Sequence, residues 1–173
     1  MCTRLVLSVV TAFMLMHAPG RALEVSNFRS GPACPKPGDT TRQVGRICFQ
    51  AEDIHITGQG ACVYDKDEVP CTWYGFEFDY SGAKEGDKIT CAYTTSEPAD
   101  VGDPDGVTNA ASTSGEYELS LKPGASHFFN PQYSVLRYVR EQTPDIRDET
   151  VCTFDGEELF RFKFNLISPK ADN

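Results

Sequence analysis

The sequence has few of the residues from which catalytic motifs are usually built. It holds three histidines and one tryptophan, and it contains no His-Glu-x-x-His, no Gly-x-Ser-x-Gly and no glycine loop of the phosphate-cradling kind. Those absences remove the common zinc peptidases, serine hydrolases with a nucleophile elbow, and P-loop enzymes. No Cys-x-x-Cys occurs either, and beyond the first turns of the chain the only histidines are His55 and His127, so a zinc site is not expected. Asn-x-Ser/Thr sequons are also missing, which takes away one sign of a eukaryotic secretory origin and leaves periplasm and extracellular space both open. Positive charge is scarce: 16 Lys and Arg stand against 25 Asp and Glu, a formal charge of −9. Such a surface repels phosphate backbones and anionic lipid, so nucleic-acid binding is not expected.

Long apolar runs are missing except at the N-terminus. There Met1 to Arg4 carries one positive charge and precedes the apolar stretch Leu5 to Met16, which is too short to span a bilayer. Gly20 and Ala22 supply the small residues that signal peptidase requires, so residues 1–22 are expected to be a signal peptide cut before Leu23. Loss of Arg4 and Arg21 would bring the charge of the remainder to −11. No second run follows, and no membrane insertion is expected of the mature chain, which is read as exported to the periplasm or the extracellular space.

Cysteine usage agrees with an oxidising destination. Cys2 would leave with the signal peptide, and the even set Cys34, Cys48, Cys62, Cys71, Cys91 and Cys152 reads as three disulfides. Six thiols admit fifteen pairings and spacing alone does not choose among them. The pairing carried forward as an expectation joins 34 with 48, 62 with 71, and 91 with 152.

About 150 mature residues suit one domain with a substantial core. The segment Gly31 to Gly45 is rich in Pro, Gly, Thr and charge, and residues 23–45 are read as an irregular N-terminal arm. From Arg46 onward short β-branched and aromatic runs alternate with Gly, Pro and Asp punctuation, and residues 46–173 are expected to form the folded domain.

In Thr72 to Tyr80 the residues Tyr74, Phe76, Phe78 and Tyr80 alternate with Trp73, Gly75, Glu77 and Asp79. A hairpin follows the same logic near the C-terminus, where Thr150 to Phe154 turns through Asp155-Gly156 into Glu158 to Leu166. Lys88 to Thr94 and Glu116 to Leu121 alternate likewise, and Arg46 to Gln50, Asp53 to Thr57, Ala61 to Tyr64 and Tyr133 to Arg140 are further strand candidates, the last with a helical turn as the alternative. His127 to Pro131 is read as a packed segment over one end of the fold.

About seven to nine such strands must pair two apolar faces, which predicts an all-β antiparallel β-sandwich stabilised by disulfides. Immunoglobulin-like topology is one form of it, because Trp73 lies eleven residues after Cys62, although Thr150 stands where a tyrosine corner would place Tyr.

Two surface features are candidates for function. Trp73, Glu77 and Asp79 share the outward face of the central strand, where an aromatic ring beside carboxylates would suit a sugar or peptide. Asp100, Asp103 and Asp105 lie in a long acidic segment and offer the oxygen ligands that Ca²⁺ prefers, but the register fails the EF-hand pattern, with Val101 at its first position and Ser112 at its last. No other cofactor is implied. His55 is expected to face solvent between Ile54 and Ile56, and Ser126 and His127 as strand neighbours point apart, so no catalytic residue is assigned. These readings favour a non-catalytic binding module with a protein or glycan partner at the cell envelope or outside the cell, an inhibitor of a secreted enzyme being one form, over a small secreted hydrolase.

Overall fold

The fold is described from a computed structural model, for residues 23–38, 43–64, 66–99, 111–135 and 144–169. Ten strands occur among these residues: β1 (Glu24–Pro35), β2 (Val44–Ile47), β3 (Asp53–His55), β4 (Gly60–Tyr64), β5 (Asp67–Ala83), β6 (Lys88–Ala99), β7 (Ser112–Ser120), β8 (Gly124–Val135), β9 (Ile146–Phe154) and β10 (Glu157–Ile167). They form two five-stranded sheets. The first runs β2-β1-β5-β4, with β8 on the other side of β5, and the second runs β3-β10-β9-β6-β7. All pairings are antiparallel except that of β3 with β10, which is parallel.

The sandwich closes because period-two alternation gives each sheet one apolar face. Tyr74, Phe76, Phe78 and Tyr80 of β5 meet Phe160, Phe162 and Phe164 of β10, and Ile54, Ile89, Leu119 and Phe154 complete the same core. Ring centroids lie 4.7 Å apart for Phe76 and Phe162 and 5.1 Å apart for both Phe78–Phe160 and Tyr74–Phe164. Tyr80 does a second job. Its hydroxyl donates to the Lys122 carbonyl and accepts from the Lys122 N–H, which ties β5 to the turn between the two sheets.

The three disulfides join the expected partners, 34 with 48, 62 with 71, and 91 with 152. Cys91 and Cys152 face each other across the β6–β9 ladder, so this bridge lies within one sheet and does not cross between the two.

Two expectations are corrected. The arm at residues 23–45 is not irregular: β1 pairs with β5 from Glu24–Ser81 to Pro32–Tyr74 and with β2 through Ala33 to Pro35. A bulge between Ser26 and Arg29 and two prolines hide this strand from a periodicity reading. His127 to Pro131, read as a cover over one end, is the middle of β8, which runs along β5 from Ala83 to Cys71. Among the described residues β8 pairs with β5 alone, and such an edge is where a strand tolerates Pro131. Tyr133 to Val135 end this strand, and residues 136–140 lie outside the described residues.

Candidate functional site on the outer face of the first sheet

The face of β5 opposite the core carries Trp73, Gly75, Glu77 and Asp79, and the ladder sets β1 and β8 on either side of it. Asp79 lies opposite His127, Glu77 opposite both Arg29 and Phe129, and Trp73 opposite Tyr133. At the β1 bulge Asn27 adopts a left-handed backbone with φ of 51°, and its amide Nδ2 donates to Asp79 Oδ2 over 2.8 Å. His127 Nδ1 lies 2.9 Å from Asp79 Oδ1, and its Nε2 lies 3.7 Å from Glu77 Oε2. Hydrogen bonds from Asn27 and then from His127 hold the Asp79 carboxyl below the usual carboxylate range. An ionised Asp79 can only accept, so Nδ1 of His127 is the donor of this pair, and Nε2 is turned toward Glu77.

Glu77 is not on the surface. Its side chain is 3% exposed, and it accepts hydrogen bonds from Arg29 and from the Ile47 N–H, the latter over 2.9 Å. The cover comes from β2, which lies against β5 and β8, and from the residues after it, which bond back to β1. The Cys34–Cys48 bridge fixes one end of this strap. Cys48 N–H donates to the Pro32 carbonyl and Ala51 N–H to the Ser30 carbonyl, while Ser30 and Gln50 exchange two further bonds. Period two told which side Glu77 faces, and nothing in it announced that the chain would return over that side.

Trp73 is drawn into a separate apolar cluster with Cys62, Val69, Cys71, Val135 and Tyr133 on the same outer face. Its ring meets Tyr133 edge-on at 5.1 Å, and its Nε1–H donates to the Ala61 carbonyl. Tyr133 likewise spends its hydroxyl on the Val63 carbonyl. Four residues of extended chain, roughly 13 Å, separate Trp73 from Glu77. The structure therefore brings Glu77 and Asp79 together and leaves Trp73 out.

The two carboxylates, Arg29, Asn27, His127 and Phe28 line an open concavity of about 390 Å³. Sequence reasoning named Glu77 and Asp79 but missed Arg29, Asn27 and the role of His127. The Asn27 and Arg29 positions were hidden in the supposed arm, and His127 could have been found only by recognising β8. His55 faces solvent between the buried Ile54 and Ile56, and Ser126 is not among the residues lining the concavity. Asp100, Asp103 and Asp105 lie outside the described residues, as does the segment 1–22. Among the described residues no group of three or more His, Cys, Asp or Glu is arranged to hold a metal ion. None of their helices is long and apolar enough to cross a membrane.

No protein-family model and no curated protein matches this chain. Among solved structures it is similar to an immunoglobulin-like protein from Pseudomonas aeruginosa, with 16% identity over 86% of this chain and 99% of that one, at a TM-score of 0.49.

Proposed function

We propose that this chain is an exported, disulfide-bonded binding module that engages a protein or glycan partner outside the cytoplasm through the outer β1–β5–β8 face. The observation that carries the reading is the concavity itself. Arg29, Asp79 and His127 are each about half exposed there, so guanidinium, carboxylate and imidazole edges remain available to a partner while Glu77 holds Arg29, and Asp79 and His127 hold each other. Preset geometry of this kind lowers the entropy lost on binding. Three disulfides and the leader-like run at Leu5 to Met16 support the exported setting.

A hydrolase is the second reading, favoured by the Asp79–His127 pair, because a carboxylate that orients an imidazole is one part of a general-base site. Against it, no side chain lining the concavity is a hydroxyl or a thiol, so a nucleophile would have to be water or lie elsewhere.

Both readings are tested by presenting the oxidised protein to a glycan array and to the secreted and surface-protein fraction of its source cells. Arg29→Ala and the pair Asp79→Asn/His127→Ala are compared with Lys163→Ala on the opposite sheet. Binding that weakens about tenfold or more in the first two and not in the third supports the module. Binding equal in all three places the partner elsewhere, and release of a hydrolysed product that stops with His127→Ala supports the hydrolase.

A further inference from the structure

The three bridges sit in different surroundings. Cys62 and Cys71 are buried beside Val69, Trp73 and Tyr133, and Cys91 and Cys152 are buried in the main core. Cys34 and Cys48 are each partly exposed, so among the described residues theirs is the bridge that a solvent-borne thiol can reach. Positive charge, scarce in this chain, is gathered at the same place. Arg46 lies opposite Cys34 in the β1–β2 ladder, which sets the two side chains on one face as neighbours, and its Nε donates to the Pro35 carbonyl. The Lys36 stem lies over Gly45, next to Arg46 in sequence.

Thiol–disulfide exchange needs access to a sulfur, and it is faster when the departing sulfur is stabilised as a thiolate, as it is beside a cation. Exposure and charge both single out Cys34–Cys48. This bridge also holds something in place. It ties the end of β1 to the residue that follows Ile47, and the Ile47 N–H is one of the two donors that match the buried Glu77 carboxylate. Beyond the bridge the large side chain of Phe49 is 60% exposed, and Ala51 and Gln50 reach β1 through hydrogen bonds to Ser30.

We propose that Cys34–Cys48 is a redox latch on the strap, opened by a dithiol reductant, and that opening it uncovers Glu77. A thiolate of the reductant attacks Cys48 Sγ, the Sγ–Sγ bond breaks, and Cys34 leaves as a thiolate beside Arg46. The reductant's second thiol then attacks the mixed disulfide, releases Cys48 and departs as part of the reductant's own disulfide. Two electrons pass from the reductant to the bridge, and the two protons of the dithiol end on Cys34 and Cys48. With the tie gone, the strap opens locally, the Ile47 N–H leaves Glu77 Oε2, and Arg29 remains as the partner of the carboxylate. The latch does not rest on the function proposed above.

The test exposes the full oxidised protein, without denaturant, to dithiothreitol at neutral pH, traps free thiols with N-ethylmaleimide at intervals and locates them by mass spectrometry. Cys34 and Cys48 should be labelled about tenfold faster, or more, than the other four cysteines. In the species with that one bridge open, hydrogen exchange should rise at the Ile47 amide and stay unchanged at Phe76. Arg46→Gln should slow labelling of the pair by about threefold. Reduction of all three bridges together, or of a buried one first, overturns the latch, as does an Ile47 amide equally protected before and after opening. Equal labelling rates in Arg46→Gln and wild type would refute the part given to Arg46.

Discussion

Arg29 and Glu77, forty-eight residues apart in sequence, meet as an ion pair in which the carboxylate is almost wholly buried and the guanidinium is half exposed. Burying a carboxylate is costly unless every oxygen is matched, and here one oxygen faces Arg29 and the other the Ile47 N–H. Removal of the cation alone leaves the charge buried. Arg29→Ala is expected to cost about 2–3 kcal/mol, below the range for a fully buried pair because Arg29 keeps access to water. A double-mutant cycle with Glu77→Gln should return a coupling of about 1 kcal/mol or more. Coupling near zero would show that the strap, and not the ion pair, holds Glu77.

The Cys34–Cys48 bridge anchors that strap, and its loop spans 14 residues. Replacing both cysteines by Ser should lower stability by about 3 kcal/mol. A local readout separates this from general weakening: hydrogen exchange at the Ile47 amide should rise well before exchange at Phe76, in the core of β5.

At Gly31 the strap passes close against β1. A Cβ there would collide with the Phe49 carbonyl oxygen, and the backbone φ of 155° is one that side chains rarely adopt. Gly31→Ala should therefore cost about 2–4 kcal/mol, from a clash with backbone that cannot rotate aside. Thermal or urea unfolding reads the loss directly.

Phe76 and Phe49 offer a contrast between residues of the same chemistry. Phe76 is fully buried between the sheets, whereas Phe49 on the strap is 60% exposed. Phe76→Ala should cost about 3–5 kcal/mol and Phe49→Ala within about 0.5 kcal/mol. A large loss at Phe49 would mean that the strap contributes more packing than its exposure indicates.

The sandwich was legible wherever alternation was uninterrupted. Tyr74, Phe76, Phe78 and Tyr80, and Phe160, Phe162 and Phe164, all face the core as their period requires, and Asp155-Gly156 turns the hairpin between β9 and β10. β1 and β8 were not legible because proline, glycine and a bulge break the period while strand pairing survives at an edge or across a register shift. The concavity was half legible for the same reason. Glu77 and Asp79 follow from β5 alone, but Arg29 and His127 reach them only through pairings with those two strands. Trp73 shows the remaining limit: facing outward is a property of the strand, whereas being covered depends on where β4 and Tyr133 come to lie.

The sandwich carries three specific bridges, and export of the oxidised chain is the setting proposed for it. The most direct measurement is mass-spectrometric peptide mapping, without reduction, of the protein recovered from outside the cytoplasm of its own cells. The account predicts cross-linked peptides joining Cys34 to Cys48, Cys62 to Cys71 and Cys91 to Cys152, with a chain that starts near Leu23. Free thiols at these six positions, exchanged partners, or recovery only from the cytoplasm would contradict it.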